Sequence, residues 1–191
     1  MTNSLGDLKF RRRQEAITDY KKRLGLVKSG LDRVVVRKSN KRIIGQIIRY
    51  VASGDKVVVH VDSSELLKYK WPAKSNRSTA YLTGLLLAKK AGKEASSEHI
   101  LDIGLTSPVK NCIPFVFAKG CMDGGLKIRG NIQIDEKVYN CSNTKYIAEL
   151  KSKDAAKYKN HYTSYSGASA PENLAKVFSE TKGKITSGAK E

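Results

Sequence analysis

The amino-acid sequence predicts a mixed α/β fold of the α+β kind. A β-meander hairpin sheet is packed by one long buried helix and a second helix, with a basic extended N-terminal arm and a C-terminal extension. Two stretches carry the core of this reading. Residues 33–51, RVVVRKSNKRIIGQIIRYV, hold two β-branched apolar runs around a polar centre, and residues 78–91, STAYLTGLLLAKKA, are apolar almost all round. The distribution of charge sets the rest: it is concentrated in the arm and the hairpin, whereas residues 55–142 carry 13 basic and 9 acidic residues. The 191 residues thus divide into an arm (1–30), a globular α/β domain (31–130) and an extension with short helices and a basic tail (131–191).

In the arm, residues 10–28 hold seven basic and two acidic residues. They allow a helix over 11–24, interrupted only mildly at Thr18-Asp19-Tyr20. Like charges repel there, so much of the arm is expected to order against an anionic surface. The hairpin follows. Val and Ile are stiff at χ1 and suit strands, and Ser39-Asn40 is turn chemistry. A turn at Ser53-Gly54-Asp55 leads to a third strand over 56–62, with Val57, Val59 and Val61 on one face and Val58 and His60 on the other. The helix over 78–91 is expected to be capped by Ser75 or Ser78, with Lys89 and Lys90 in its last turn and Gly92 at its end. Gly84 inside it costs about 1 kcal/mol relative to alanine, which points to close approach of another backbone, with a tolerated defect as the alternative.

Residues 99–105, HILDIGL, read as a short buried strand, so the preceding helix becomes a crossover and the sheet is mixed. Residues 113–122 read as a helix with Pro114 in its first turn and Gly124-Gly125 at its end, although the run also suits a strand. Residues 126–142 look irregular. A short amphipathic helix is expected over 144–153 with Ile147 and Leu150 inward, and Pro171-Glu172-Asn173 opens a last helix over 174–180.

The formal net charge is +18, from 36 Lys+Arg against 18 Asp+Glu. That excess goes beyond what solubility needs and points to a polyanion, either nucleic acid or an anionic membrane surface. No run approaches the roughly 18 consecutive apolar residues of a membrane helix, and no leader-like apolar segment follows the first charges. Cys112, Cys121 and Cys141 form no C-x-x-C pair, and His60, His99 and His161 are isolated, so reduced thiols and no metal site or cofactor are expected.

The candidate nucleic-acid contacts fall in three groups. The arm offers Arg11, Arg12, Arg13, Tyr20, Lys21, Lys22 and Arg23. The hairpin offers Arg37, Lys38, Ser39, Asn40, Lys41 and Arg42; its six basic residues, with Arg33 and Arg49, meet no acidic residue within the hairpin itself. The third group, Lys68, Tyr69, Trp71, Lys74 and Arg77, interleaves cations that hold phosphates with rings that stack on bases. The competing readings are a solvated edge whose charges block aggregation and, for Trp71, a core residue. Asp62, Asp102 and Asp123 fall near element ends, and three such acids on an α/β sheet are in principle able to bind two Mg²⁺ ions and cut nucleic acid. No nucleophile motif, phosphate loop or dinucleotide fingerprint accompanies them, so no enzyme is expected.

Several stretches in this order resemble one family: FRRRQEAITDYKKRL, RVVVRKSNKRIIGQII, ELLKYKW, AYLTGLLLAKKA, LDIGL and FAKGCMDGGLKI. The chain is similar to the archaeal and eukaryotic form of the large-subunit ribosomal protein that binds 5S ribosomal RNA (large-subunit protein eighteen; protein five in eukaryotes). The likeness spans roughly residues 8–130, and YIAEL with the tyrosines after it resembles the family's C-terminal extension. It implies a structural constituent of the ribosome in the cytoplasm, seated on 5S ribosomal RNA in the central protuberance. The implied partners are the large ribosomal RNA, large-subunit ribosomal protein five and other central-protuberance proteins, with no membrane partner and no homo-oligomer. By position, Arg11, Arg12, Arg13, Tyr20, Lys21, Arg23, Arg37, Lys38, Asn40 and Arg42 would face RNA. A non-specific basic RNA binder is the alternative within the same chemistry.

Overall fold

The computed structural model describes residues 11–92, 97–141, 144–162 and 170–188. Its elements run α1 (Arg11–Gln14), α2 (Tyr20–Lys28), β1 (Asp32–Lys38), β2 (Ile43–Val51), β3 (Gly54–Asp62), α3 (Arg77–Ala91), β4 (Glu98–Asp102), α4 (Ile113–Asp123), β5 (Lys127–Ile128), α5 (Thr144–Lys153), α6 (Ala155–Tyr162) and α7 (Leu174–Ser187). A 3₁₀ segment, Ser63–Tyr69, joins β3 to the approach of α3. The five strands are ordered β3-β2-β1-β4-β5. β1, β2 and β3 form the expected antiparallel meander, and β4 pairs parallel to β1 after the α3 crossover, which makes the sheet mixed.

Alternation sorts the sheet into two faces. Val34, Val36, Ile43 and Ile47 belong to the core under the helices, so Arg33, Val35 and Arg37 turn to the other side. The expected alternation of β3 is broken. Ile47 pairs with Val59 and Ile48 with Val57, leaving Val58 as the extra residue of a bulge. Val61 is buried whereas Val57 is half exposed, so the two do not share one environment.

α3 is buried over most of its length and crosses α4 at two glycines. A Cβ on Gly84 would run into the Phe117 carbonyl oxygen, and one on Gly120 into that of Tyr81. The close approach expected at Gly84 is therefore real. The cap differs from expectation: Asn76 Oδ1 accepts the Thr79 N–H at 2.8 Å. Ser75 instead donates to the Ser39 carbonyl, and the Ser78 hydroxyl bonds Cys141 Sγ. Asn76→Ala should lower stability by about 1 kcal/mol, read as a lower urea midpoint at unchanged slope. An unmoved midpoint would mean that the cap contributes nothing.

The arm is not one helix. Ala16 takes a positive φ of 52°, and Asp19 caps a new helix, accepting the Lys21 and Lys22 N–H groups. The last helix also differs. It runs to Ser187 instead of stopping near 180, because Leu174, Phe178, Thr181 and Ile185 line one buried stripe. Residues 155–162, assigned no element from sequence, form α6. Trp71, Tyr81, Tyr139 and Phe178 gather the extension onto α3, with Tyr81 and Tyr139 stacked at 4.1 Å.

Candidate nucleic-acid interface

The face of the sheet turned away from α3 and α4 is where the arm lies. α2 and the loop after β4 flank a groove of about 1020 Å³ with Arg33, Val35, Arg37 and Asp102 on the strand side. Six cationic residues line it (Arg12, Lys22, Arg23, Arg33, Arg37, Lys38) against three acidic ones (Asp19, Asp55, Asp102). The arm and the hairpin, consecutive in the chain, thus present their charge to one concavity, where low-dielectric walls focus the field.

The structure divides the hairpin's cations. Arg33, one of the six cations that meet no acidic residue within the hairpin itself, is 4 % exposed. Its guanidinium donates to Asp55 at 2.7 Å and to Asp102 at 3.2 Å, because a cation pointing into a covered sheet face needs counterions. Arg49 is held by Asp32. Arg42 lies 3.6 Å from Asp62. Burial alone would raise the Asp62 carboxyl, but hydrogen bonds from the Ser64 N–H and hydroxyl and the Arg42 guanidinium together hold it below its usual value. Lys38 and Lys41 have no carboxylate partner among the described residues and stand exposed beside the turn.

Polar contacts close that turn. The Ser39 N–H donates to the Arg42 carbonyl at 2.8 Å, and the Arg42 N–H donates to Ser39 Oγ at 2.9 Å. Asn40 is exposed at its apex. Ser75 Oγ donates to the Ser39 carbonyl at 2.8 Å, which brings the segment of Lys74 against the hairpin tip. In the arm, Arg12 Nε donates to Thr18 Oγ1 at 2.8 Å and Arg23 reaches Asp55 at 2.8 Å. Arg11 pairs with Glu15, Arg13 and Lys21 are exposed, and Tyr20 is half-buried.

One aromatic candidate, Trp71, departs from the reading as a stacking ring. Trp71 is 1 % exposed, and its Nε1 donates to Thr79 Oγ1 at 2.9 Å. It fills the core edge beside Phe178 and presents no face to a base. Tyr69 is half-buried against the same core. Lys68 stays exposed, and exposed Arg77 lies away from the groove, in a separate cavity of about 470 Å³ with Lys137 at the start of α3 and α4.

The three acids of the nuclease alternative are not brought together, and no group of three metal-ligating side chains forms among the described residues. Asp62 caps the 3₁₀ segment, Asp102 serves Arg33, and Asp123 accepts from Tyr81 and Lys119. Each is occupied by a structural partner. Sequence reasoning missed Asp55 and the counterion role of Asp102; their partners lie 22 and 69 residues away, beyond any local pattern.

Comparison with known proteins agrees with the geometry. A family model described as "Ribosomal large subunit proteins 60S L5, and 50S L18" matches residues 7–99. Over 180 residues the chain is 40% identical to the large ribosomal subunit protein uL18 of Methanococcus maripaludis, covering 92% of this chain and 93% of that protein. With a cationic groove built by the very stretches that carry the likeness, the chain belongs to the uL18 family of large-ribosomal-subunit proteins, structural components of the ribosome.

Proposed function

We propose that the protein binds 5S ribosomal RNA through the arm, the groove and the hairpin tip, and so helps attach it to the large ribosomal RNA in the central protuberance. Large-subunit ribosomal protein five and other proteins of that region are its proposed neighbours, and its role is structural with no catalytic step. One observation carries the reading: the cations that the core does not need converge on one sheet face and its turn, from two separate parts of the chain. Arg12, Lys22, Arg37, Lys38 and Lys41 supply phosphate contacts; exposed Asn40 is the polar group free to meet a base edge or sugar.

The test is a gel-shift titration against 5S RNA, with an unrelated folded RNA as competitor, at two salt concentrations. Binding that survives the competitor supports the assignment, and equal binding to both RNAs supports the non-specific reading instead. Affinity should fall steeply with salt, as phosphate contacts release counterions. Arg37→Ala and Arg12→Ala should each weaken binding by about 1–2 kcal/mol, as expected of charge-assisted contacts. Unchanged affinity for both variants would remove this face from the footprint.

A further inference from the structure

Two of the acidic residues in this groove look, at first sight, like obstacles to a polyanion. We propose that Asp102, with Asp55, is a positioning residue that strengthens RNA binding by fixing the arginines on either side of it; the inference rests on the RNA-binding reading above. The five charges form a continuous chain, Arg23–Asp55–Arg33–Asp102–Arg37. Asp55 Oδ2 accepts from Arg23 at 2.8 Å and from Arg33 at 2.7 Å. Asp102 Oδ2 accepts from Arg33 at 3.2 Å and lies 3.7 Å from Arg37.

The centre of the chain is buried and its ends are open. The Arg33 side chain is 5% exposed and that of Asp102 9%, whereas Arg23 is 38% and Arg37 49% exposed. Three cations against two anions leave one net positive charge, and only the end guanidiniums are accessible to a ligand. Arg37 is held along one edge of its guanidinium and is about half exposed on the other. Its Nη1 donates to the Val36 carbonyl at 2.9 Å and to the Asp102 carbonyl at 3.4 Å. Its guanidinium also packs against Gly104, where an added Cβ would lie only 3.1 Å from Nη1. Asp102 builds that seat as well, since its Oδ1 accepts the Gly104 N–H at 2.8 Å while Gly104 takes a φ of +61°.

A free arginine loses rotamer freedom when it grips a phosphate, and a guanidinium already fixed as a planar fork loses less. Simple charge counting and positioning therefore predict opposite signs for one substitution. Removing the Asp102 charge raises the positive potential of the groove and, by charge counting alone, tightens binding. If Asp102 acts by holding Arg37, the loss of orientation outweighs that gain and binding weakens.

The experiment is a double-mutant cycle on the full chain, with Asp102→Asn, Arg37→Ala and the double variant titrated against 5S RNA and the unrelated folded RNA. Circular dichroism first sets a temperature at which all four proteins are folded, and Asp55→Asn, which loosens Arg23 from the other end, serves as a second variant. The expected result is a Kd raised about fivefold by Asp102→Asn, in line with the ordering of one long side chain, and little further loss when it is added to Arg37→Ala. A general structural role would give additive losses instead. Additive losses, or unchanged or tighter binding by both Asp102→Asn and Asp55→Asn, overturn the proposal. Equal wild-type binding to both RNAs sinks the 5S assignment but leaves the cycle readable on either RNA. Absence of binding to any RNA at low salt overturns both readings.

Discussion

Gly84→Ala is expected to lower stability by about 3 kcal/mol, at the upper end of what overpacking costs. The reason is what the added methyl would meet: a backbone carbonyl, that of Phe117, and not the end of a flexible side chain. Gly120 makes the reciprocal approach to Tyr81, so neither helix can yield without opening the crossing. Alanine is the better helix former by about 1 kcal/mol, and that gain is outweighed. Gly25 and Gly183 provide the contrast, because both lie within helices and have nothing within 4 Å of an added Cβ. Alanine at either should leave stability unchanged or raise it. Urea unfolding of the three variants tests the contrast, and an unmoved midpoint for Gly84→Ala would show that α3 and α4 do not cross here.

Arg33→Ala should cost about 3–5 kcal/mol, the usual consequence of removing one partner from a buried ion pair. Two carboxylates lose their shortest or second-shortest donor at once. Asp102 keeps the Gly104 N–H and Arg37 at 3.7 Å, and Asp55 keeps Arg23, so the lower part of that range is expected. For a chain of this size the loss corresponds to a Tm lower by roughly 10 °C. Arg33→Lys should recover only part of it, since an ammonium lacks the fork that lets one side chain serve two carboxylates. A Tm within a degree or two of wild type for Arg33→Ala would show that the pair contributes little.

The sequence makes the frame of this protein legible because local chemistry and tertiary demand agree there. β-branched runs became β1 and β2, an all-round apolar helix became the buried α3, and a glycine inside it marked a crossing. Disagreement begins where a residue's role is set by a distant partner. Arg33 reads as one cation among six, and only the fold brings Asp55 and Asp102 to it. Trp71 sits among lysines in sequence but under Phe178 in space. Some misses were readable after all. Asp19 is a good capping residue two positions before the Lys21 N–H that it accepts, and Leu174, Phe178, Thr181 and Ile185 keep a helical spacing through the glycine at 183. For the candidate interface, the arm and hairpin were apparent from charge alone, but the groove between them depends on where α2 lies over the sheet.

The packing of α7 on α3 also bears on the order in which a nascent chain can mature. Translation delivers the arm and the hairpin first, whereas Phe178 and Ile185, which complete the core around Trp71, Tyr81 and Tyr139, follow about a hundred residues after Trp71. During that interval the growing polypeptide displays its cationic surface while aromatic rings that α7 later covers remain open to solvent. Elongation rate thus sets how long the unfinished molecule presents both charge and apolar surface, the combination most prone to capture by stray nucleic acid or by another incomplete chain.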